Sequence, residues 1–190
     1  LNSGGPSDAS LAQLGEEVGV LLKQVGELDR STAALEAARK IRVKTSTLQR
    51  PEGANLLRNI GVVRAESGDD AGAMVAFKEA LAIREGTGTL MTCDGARIFS
   101  NIGNINMVQG DQAAAFEAYG QAMKIRQEAN ALKTTEGALL MMNIGSLKRS
   151  QNDNQGALEA FKNAKTTREE TGMLVTPDGA RLLSSIADAH

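Results

Sequence analysis

The chain has 190 residues, a formal net charge of −2 and one cysteine, Cys93. A near-neutral charge without a long run of Lys or Arg argues against nucleic acid as the main partner. A lone cysteine excludes an internal disulfide framework and a cysteine-ligated zinc site, and it fits a reducing compartment, cytoplasmic or organellar. No stretch approaches the roughly 20 apolar residues that cross a bilayer, so no transmembrane segment is expected.

The chain begins with small and polar residues, and these predict a flexible N-terminal tail over residues 1–9. The first helix is expected to begin near Ser10. From there the sequence repeats itself every 42 residues, because Asn59-Ile60-Gly61 recurs as Asn101-Ile102-Gly103 and Asn143-Ile144-Gly145. A fixed period of this length indicates stacked helical units. We expect a single array over residues 10–190, with repeats at about 10–52, 53–94, 95–136 and 137–178 and a terminal helix at 179–190.

Each repeat predicts two helices, which we call helix A and helix B. In the second repeat, Leu56, Ile60 and Val63 follow the spacing of an apolar helix face. Gly68 is then expected to end helix A in the left-handed conformation, and Asp69 is expected to cap helix B. Helix B is predicted from about Ala71 to Thr87. A threonine recurs at the same repeat position and is expected to cap the next helix A. A proline follows one of these threonines and suits the first helical position. These residues are Thr92, Thr134, Thr176 and Pro177.

This unit resembles a tetratricopeptide repeat (TPR). That family places a large residue and then a Leu-Gly pair in helix A, and two alanines flanking an aromatic residue in helix B. The three central repeats match with Leu57, Ile60-Gly61, Ala73, Phe77 and Ala80; Phe99, Ile102-Gly103, Ala115, Tyr119 and Ala122; and Met141, Ile144-Gly145, Ala157, Phe161 and Ala164. The period is longer than the common TPR period, and it is similar to the kinesin-light-chain and nephrocystin type. The resemblance implies an all-α fold, a right-handed α-solenoid of antiparallel helix pairs with about four repeats and one terminal helix.

In arrays of this kind the A helices line a concave groove. Asn59, Asn101 and Asn143 would then form a ladder along it. A carboxamide offers donors and an acceptor, so such a ladder is able to bind the backbone of an extended peptide. The alternative is that each asparagine bonds the neighbouring helix and fixes the stacking.

Three further polar residues are expected beside the ladder. Arg97 and Asn104 lie four residues before and three residues after Asn101, so they share its helix face. Asn55 stands at the position of Arg97 in the second repeat. An arginine there is suited to an acidic or C-terminal carboxylate; the alternative is a solvated surface side chain.

Other recurring residues have structural explanations. Arg42, Arg84, Arg126 and Arg168 recur near the end of helix B, where a cation complements the helix C-terminus. His190 is the only histidine and ends the chain, so a Cys-His pair would lack a supporting base. The glycines recur with the repeat and serve turns and packing rather than a phosphate loop. We therefore expect no catalytic, cofactor or metal site, and no enzyme.

Two functions remain. The first is a scaffold or adaptor that binds a peptide or helix of a protein partner in the concave groove. The alternative is a constitutive structural or linker subunit of a large assembly (ciliary, ribosomal or photosynthetic), bound through the convex face and the ends of the array. Both expect protein partners, and neither needs nucleic acid.

Overall fold

The computed structural model describes residues 7–188, which form nine α-helices and no strand. The predicted all-α class is confirmed. The helices are Asp8–Gln24 (α1), Leu28–Lys44 (α2), Pro51–Glu66 (α3), Asp70–Gly86 (α4), Cys93–Val108 (α5), Gln112–Glu128 (α6), Thr135–Ser150 (α7), Asn154–Glu170 (α8) and Pro177–Asp188 (α9). The odd-numbered helices are A helices and the even-numbered helices are B helices.

The ends of the predicted array differ from the described helices. Ser7 caps α1 through a hydrogen bond from the Ser10 amide, so α1 begins at Asp8, inside the segment expected to be a tail. Most of that tail, residues 1–6, and the terminal His190 lie outside the described residues. Helix α9 begins at Pro177, two residues before the expected start, because Thr176 caps it.

The chain divides into two compact units, Leu1–Leu90 (unit 1) and Met91–His190 (unit 2). In unit 1, α1 packs along α2 and α3 packs along α4, with α2 against α3. In unit 2, the pairs α5–α6 and α7–α8 pack in the same way, α7 lies against α6, and α9 lies against α8.

The expected caps form at both turns of the repeat. Asp69, Asp111 and Asp153 each accept a hydrogen bond from a glycine or alanine amide three residues on, at 2.8–3.0 Å. Thr134 does the same for Gly137 at 3.1 Å. The residue that ends the preceding helix has a positive φ, 62° at Asn152, a conformation that asparagine and glycine tolerate. Local chemistry therefore sets the helix boundaries.

In the second, third and fourth repeats, helix A meets helix B through a glycine and an aromatic ring. A Cβ placed on Gly145 would lie 2.5 Å from the ring of Phe161, and the same is true of Gly61 against Phe77. Flanking alanines, Ala157 and Ala164 in the fourth repeat, are fully buried. The small residues therefore let the ring of helix B lie directly on helix A.

Candidate partner-binding surface

Unit 1 has a cleft of about 670 Å³ on its A-helix side. We call it the unit 1 cleft. One wall is the exposed face of α1, and the other is α3, which contributes Glu52, Asn55 and Asn59. Arg42 reaches it from the end of α2. Two of the six residues that the sequence assigned to partner binding therefore line one cleft.

The carboxamide oxygens of both asparagines are held by arginines. Arg84 donates through Nη2 to Oδ1 of Asn55, and Arg58 donates through Nη2 to Oδ1 of Asn59 at 2.8 Å. These bonds fix the orientation of each amide, so that its Nδ2 lies on the side away from the arginine. Among the described residues, neither Nδ2 has a hydrogen-bond acceptor, and neither is buried. The cleft thus presents two oriented N–H donors.

Carboxylates give the cleft an acidic character. Glu16 forms a salt bridge with Nε of Arg42, and both side chains are largely buried. Burial raises the pKa of Glu16, the pairing with Arg42 opposes that rise, and the negative charges of Glu52 and Glu17 add to it. Glu17 accepts a hydrogen bond from Gln13 at 2.9 Å. Neither Glu17 nor Glu52 forms a salt bridge within residues 7–188.

In unit 2 the expected binding residues contact each other. Oδ1 of Asn104 accepts a hydrogen bond from the Tyr119 hydroxyl at 2.7 Å and another from Nδ2 of Asn143 at 2.8 Å. This oxygen therefore joins α5, α6 and α7. Asn101 is partly buried on α5, and its Nδ2 is fully buried without a hydrogen-bond partner among the described residues. The asparagine ladder thus has different surroundings in the two units.

Arg97 faces the first turns of two A helices. Its Nη2 donates to Glu136 of α7 at 2.6 Å, and its Nη1 lies 3.4 Å from Asp94 on its own helix. A hydrogen bond from the backbone N–H of Glu136, followed by the bond from Arg97, lowers the pKa of that carboxyl. Arg97 therefore already holds a carboxylate, that of the next repeat.

The structure adds one set of structural contacts that the sequence did not suggest. Arg126 and Arg168 stand near the end of helix B, as expected, but they are buried, at 2% and 1% exposure. Nη1 of Arg168 donates to the Met173 carbonyl oxygen at 3.3 Å and to the Thr176 hydroxyl at 3.4 Å. Nη1 of Arg126 makes the equivalent bonds, to the Ala131 carbonyl oxygen and the Thr134 hydroxyl, both at 3.4 Å. The only sequence signal was the strict recurrence of this arginine.

Two other kinds of site are absent from residues 7–188. No group of three or more His, Cys, Asp or Glu side chains there is arranged to hold a metal ion. No described helix combines the length and the apolar character that a membrane span requires.

Comparison with solved structures identifies the fold. No protein-family model matches the chain, and no curated protein sequence matches it. Among solved structures, BtubC (BKLC) from P. vanneervenii is similar with a TM-score of 0.78 and 18% identity, over 90% of this chain and 68% of that one. The fold is that of a TPR-like repeat protein.

Two other TPR-like structures show how widely the fold is shared. A putative kinesin light chain from Podosopora anserina, with nearly identical TPR-like repeats, has a TM-score of 0.76 and 15% identity, over 97% of this chain and 87% of that one. A chain of the APC/C hetero-tetramer Cut9-Hcn1 has a TM-score of 0.73 and 16% identity, over 94% of this chain and 29% of that one. The predicted TPR resemblance is thus confirmed at the level of the fold.

Proposed function

We propose that the protein is a non-catalytic adaptor that holds an extended peptide of a protein partner on the A-helix side of its TPR-like helix pairs. The observation that carries this proposal is the pair of oriented Nδ2 donors of Asn55 and Asn59 in the unit 1 cleft. The TPR-like fold of Cut9, which occurs in a hetero-tetramer with Hcn1, supports a role in protein association.

The spacing of the two donors suits a peptide backbone. Asn55 and Asn59 are four residues apart on α3, so they are separated by about 6 Å along the helix axis. Alternate residues of an extended peptide are about 6.6 Å apart and point their carbonyl groups to the same side. Two such carbonyl oxygens would therefore meet the two donors with little distortion. Recognition of this kind depends on the backbone of the peptide, and the walls of the cleft select its side chains.

The experiment uses isosteric variants. Asn55→Asp together with Asn59→Asp keeps the oxygens that accept from Arg84 and Arg58, but it removes both Nδ2 donors. Asn163→Asp on the exposed side of α8 adds the same kind of charge elsewhere. Each protein is used as bait in native lysate at low and high salt, and the bound proteins are identified by mass spectrometry.

The adaptor proposal expects several salt-sensitive partners that share a short motif. They should be lost with the double variant and retained with Asn163→Asp. A synthetic peptide of the shared motif should then bind the intact chain in calorimetry and not the double variant. Partners that are retained equally by all three proteins would contradict the proposal.

The second candidate is a constitutive subunit of a large assembly, and the apolar end of unit 2 favours it. Val175 is 98% exposed just before α9, and a cleft of about 510 Å³ there is also lined by Leu174, Pro177 and Leu183. A surface of this kind is suited to permanent burial. One stoichiometric, salt-resistant assembly that disappears with Leu183→Gln and Val175→Gln would favour this role over the adaptor.

A further inference from the structure

Helix α1 carries an apolar surface that no described residue of unit 1 covers. Leu11, Leu14, Val18 and Leu21 are spaced by three, four and three residues, so they lie on one face of the helix. We call them the α1 stripe. All four are at least 37% exposed, and Leu14 and Leu21 are 54% and 61% exposed. A continuous exposed stripe of this length is the kind of surface that marks an interaction site.

The repeat itself shows what shape of partner fits this stripe. The residues 42 positions after Leu14, Val18 and Leu21 are Leu56, Ile60 and Val63 of α3, and they are 0–3% exposed. They form one hydrophobic cluster with residues of α2, the preceding B helix. In unit 2 the equivalent Leu140 and Leu147 of α7 cluster with residues of α6. The α1 stripe is therefore a surface shaped to receive a helix.

The charges beside the stripe indicate which kind of helix would bind there. Glu17 lies three residues after Leu14 and four before Leu21, so it borders the stripe. Leu21 also lines the unit 1 cleft, where Glu52 lies on the opposite wall. Neither carboxylate forms a salt bridge in the described chain. A second copy of α1 would bring another acidic flank against this one, whereas a basic flank would complement it.

We propose that the α1 stripe docks an amphipathic helix of a protein partner whose apolar face is bordered by Lys or Arg, the basic side meeting Glu17 and Glu52. This rests on the proposed function in that the ligand is a protein partner. Its contacts are the α1 stripe and two carboxylates of the unit 1 cleft, and it does not use the amide donors of Asn55 and Asn59. The apolar face of the incoming helix takes the place that a B helix occupies on α3 and α7.

The test uses two designed peptides of about 18 residues, long enough to be helical. Both have leucines at three- and four-residue spacing; one has lysines beside them and the other glutamates. Binding to the full chain is measured by fluorescence anisotropy. We expect the lysine peptide to bind about fivefold to tenfold tighter, since each partly exposed ion pair contributes modestly. Glu17→Gln with Glu52→Gln should remove most of that difference.

The stripe is tested with Leu14→Gln and Leu21→Gln together. Both side chains are exposed, so the fold should be retained, and the lysine peptide should bind at least about tenfold more weakly because two leucines no longer bury apolar surface. Val75→Gln on α4, which is 63% exposed, is the matched control and should leave binding unchanged. Equal binding of the two peptides by the wild type, or undiminished binding by the stripe variant, overturns the inference.

Two results separate this inference from the proposed function. If the stripe variant retains the lysine peptide while the Asn55→Asp and Asn59→Asp variant loses its lysate partners, the inference fails and the adaptor role stands. If the chain instead forms a dimer in sedimentation equilibrium that Leu14→Gln and Leu21→Gln abolish, the stripe is a self-interface and the inference is overturned.

Discussion

The hydroxyl of Tyr119 donates a hydrogen bond to Oδ1 of Asn104 at 2.7 Å. Burial raises the pKa of the Tyr119 hydroxyl above an ordinary value that already keeps it protonated at neutral pH, so the group remains a donor even in alkaline solution. The same oxygen accepts from Asn143 on the next A helix. Two asparagines that the sequence assigned to partner binding thus connect three helices of unit 2, and this differs from the free amide donors of unit 1.

This connection predicts unequal effects of two alanine substitutions on α5. Asn104→Ala leaves the buried Tyr119 hydroxyl without an acceptor and should lower the free energy of unfolding by about 1–3 kcal/mol. Asn101→Ala removes an Nδ2 group that has no hydrogen bond, and it should change stability by less than about 0.5 kcal/mol. Urea denaturation followed by circular dichroism measures both. An Asn101→Ala protein that loses its fold would show that Asn101 holds the stacking, and a binding loss at full helicity would extend the peptide site into unit 2.

The contact between glycine and aromatic ring predicts opposite effects of the same substitution at two glycines. Gly145→Ala would place a Cβ 2.5 Å from the Phe161 ring, and the resulting displacement should destabilise the protein by about 1–3 kcal/mol. Gly120→Ala on α6 meets no atom within 4 Å, so it should stabilise by about 0.5–1 kcal/mol through helix propensity. Thermal unfolding distinguishes the two. A Gly145→Ala protein as stable as the wild type would contradict the close packing of α7 and α8.

The buried arginine of the last B helix is predicted to hold α9 in place. Arg168→Ala removes charge-assisted bonds to the Met173 carbonyl and the Thr176 hydroxyl, which should cost about 2–3 kcal/mol. The amides of α9 should exchange faster with solvent, and hydrogen exchange measured by NMR reports this directly. Arg181→Ala is the control, because Arg181 is exposed and its one ion pair among the described residues is with Asp178 of the same helix. Equal protection of α9 in both variants would show that Arg168 does not anchor that helix.

The Arg97–Glu136 pair predicts a specific pH dependence. Because the pKa of Glu136 is lowered in the folded chain, its contribution to stability is present above the ordinary glutamate pKa and is lost as pH falls through the lowered value. Arg97→Gln should raise the pKa of Glu136 towards its ordinary value, and it should therefore reduce the loss of stability at low pH. Carboxyl NMR titration of Glu136 measures the change, and an unaltered pKa would mean that the backbone N–H bond alone lowers it. Both side chains are about two-fifths exposed, so the effect on total stability should be small.

The helix pairs could be predicted from the sequence because the features that set them are local. Thr134 and Asp153 act as caps within three residues, and Gly145 marks the ring contact at a constant repeat phase. The TPR-like fold followed from the same positions. These features recur every 42 residues, so each repeat independently supports the same helix boundaries.

The surroundings of single side chains could not be predicted in the same way. Tyr119 aligns with Phe77 and Phe161, and only its hydroxyl can donate a hydrogen bond to Asn104. Arg168 reaches the turn after its helix, and its burial depends on the path of that turn. Leu14 has the same repeat position as the buried Leu56, but it is exposed because no helix covers α1 within the described chain. Periodicity alone did not distinguish a covered face from an uncovered one.

Site-specific photo-crosslinking would test the central claim, that a peptide of a protein partner binds on the A-helix side of unit 1. A photoreactive residue replaces the exposed Gln13 of the unit 1 cleft in one protein, and the exposed Lys162 of α8 in another. Each is irradiated in native lysate, and the cross-linked segments are identified by mass spectrometry. The account predicts that Gln13 cross-links to a recurring short segment, and that a synthetic peptide of this segment competes for the site. Cross-links from Lys162 alone, or a single salt-resistant assembly cross-linked equally from both positions, would contradict it.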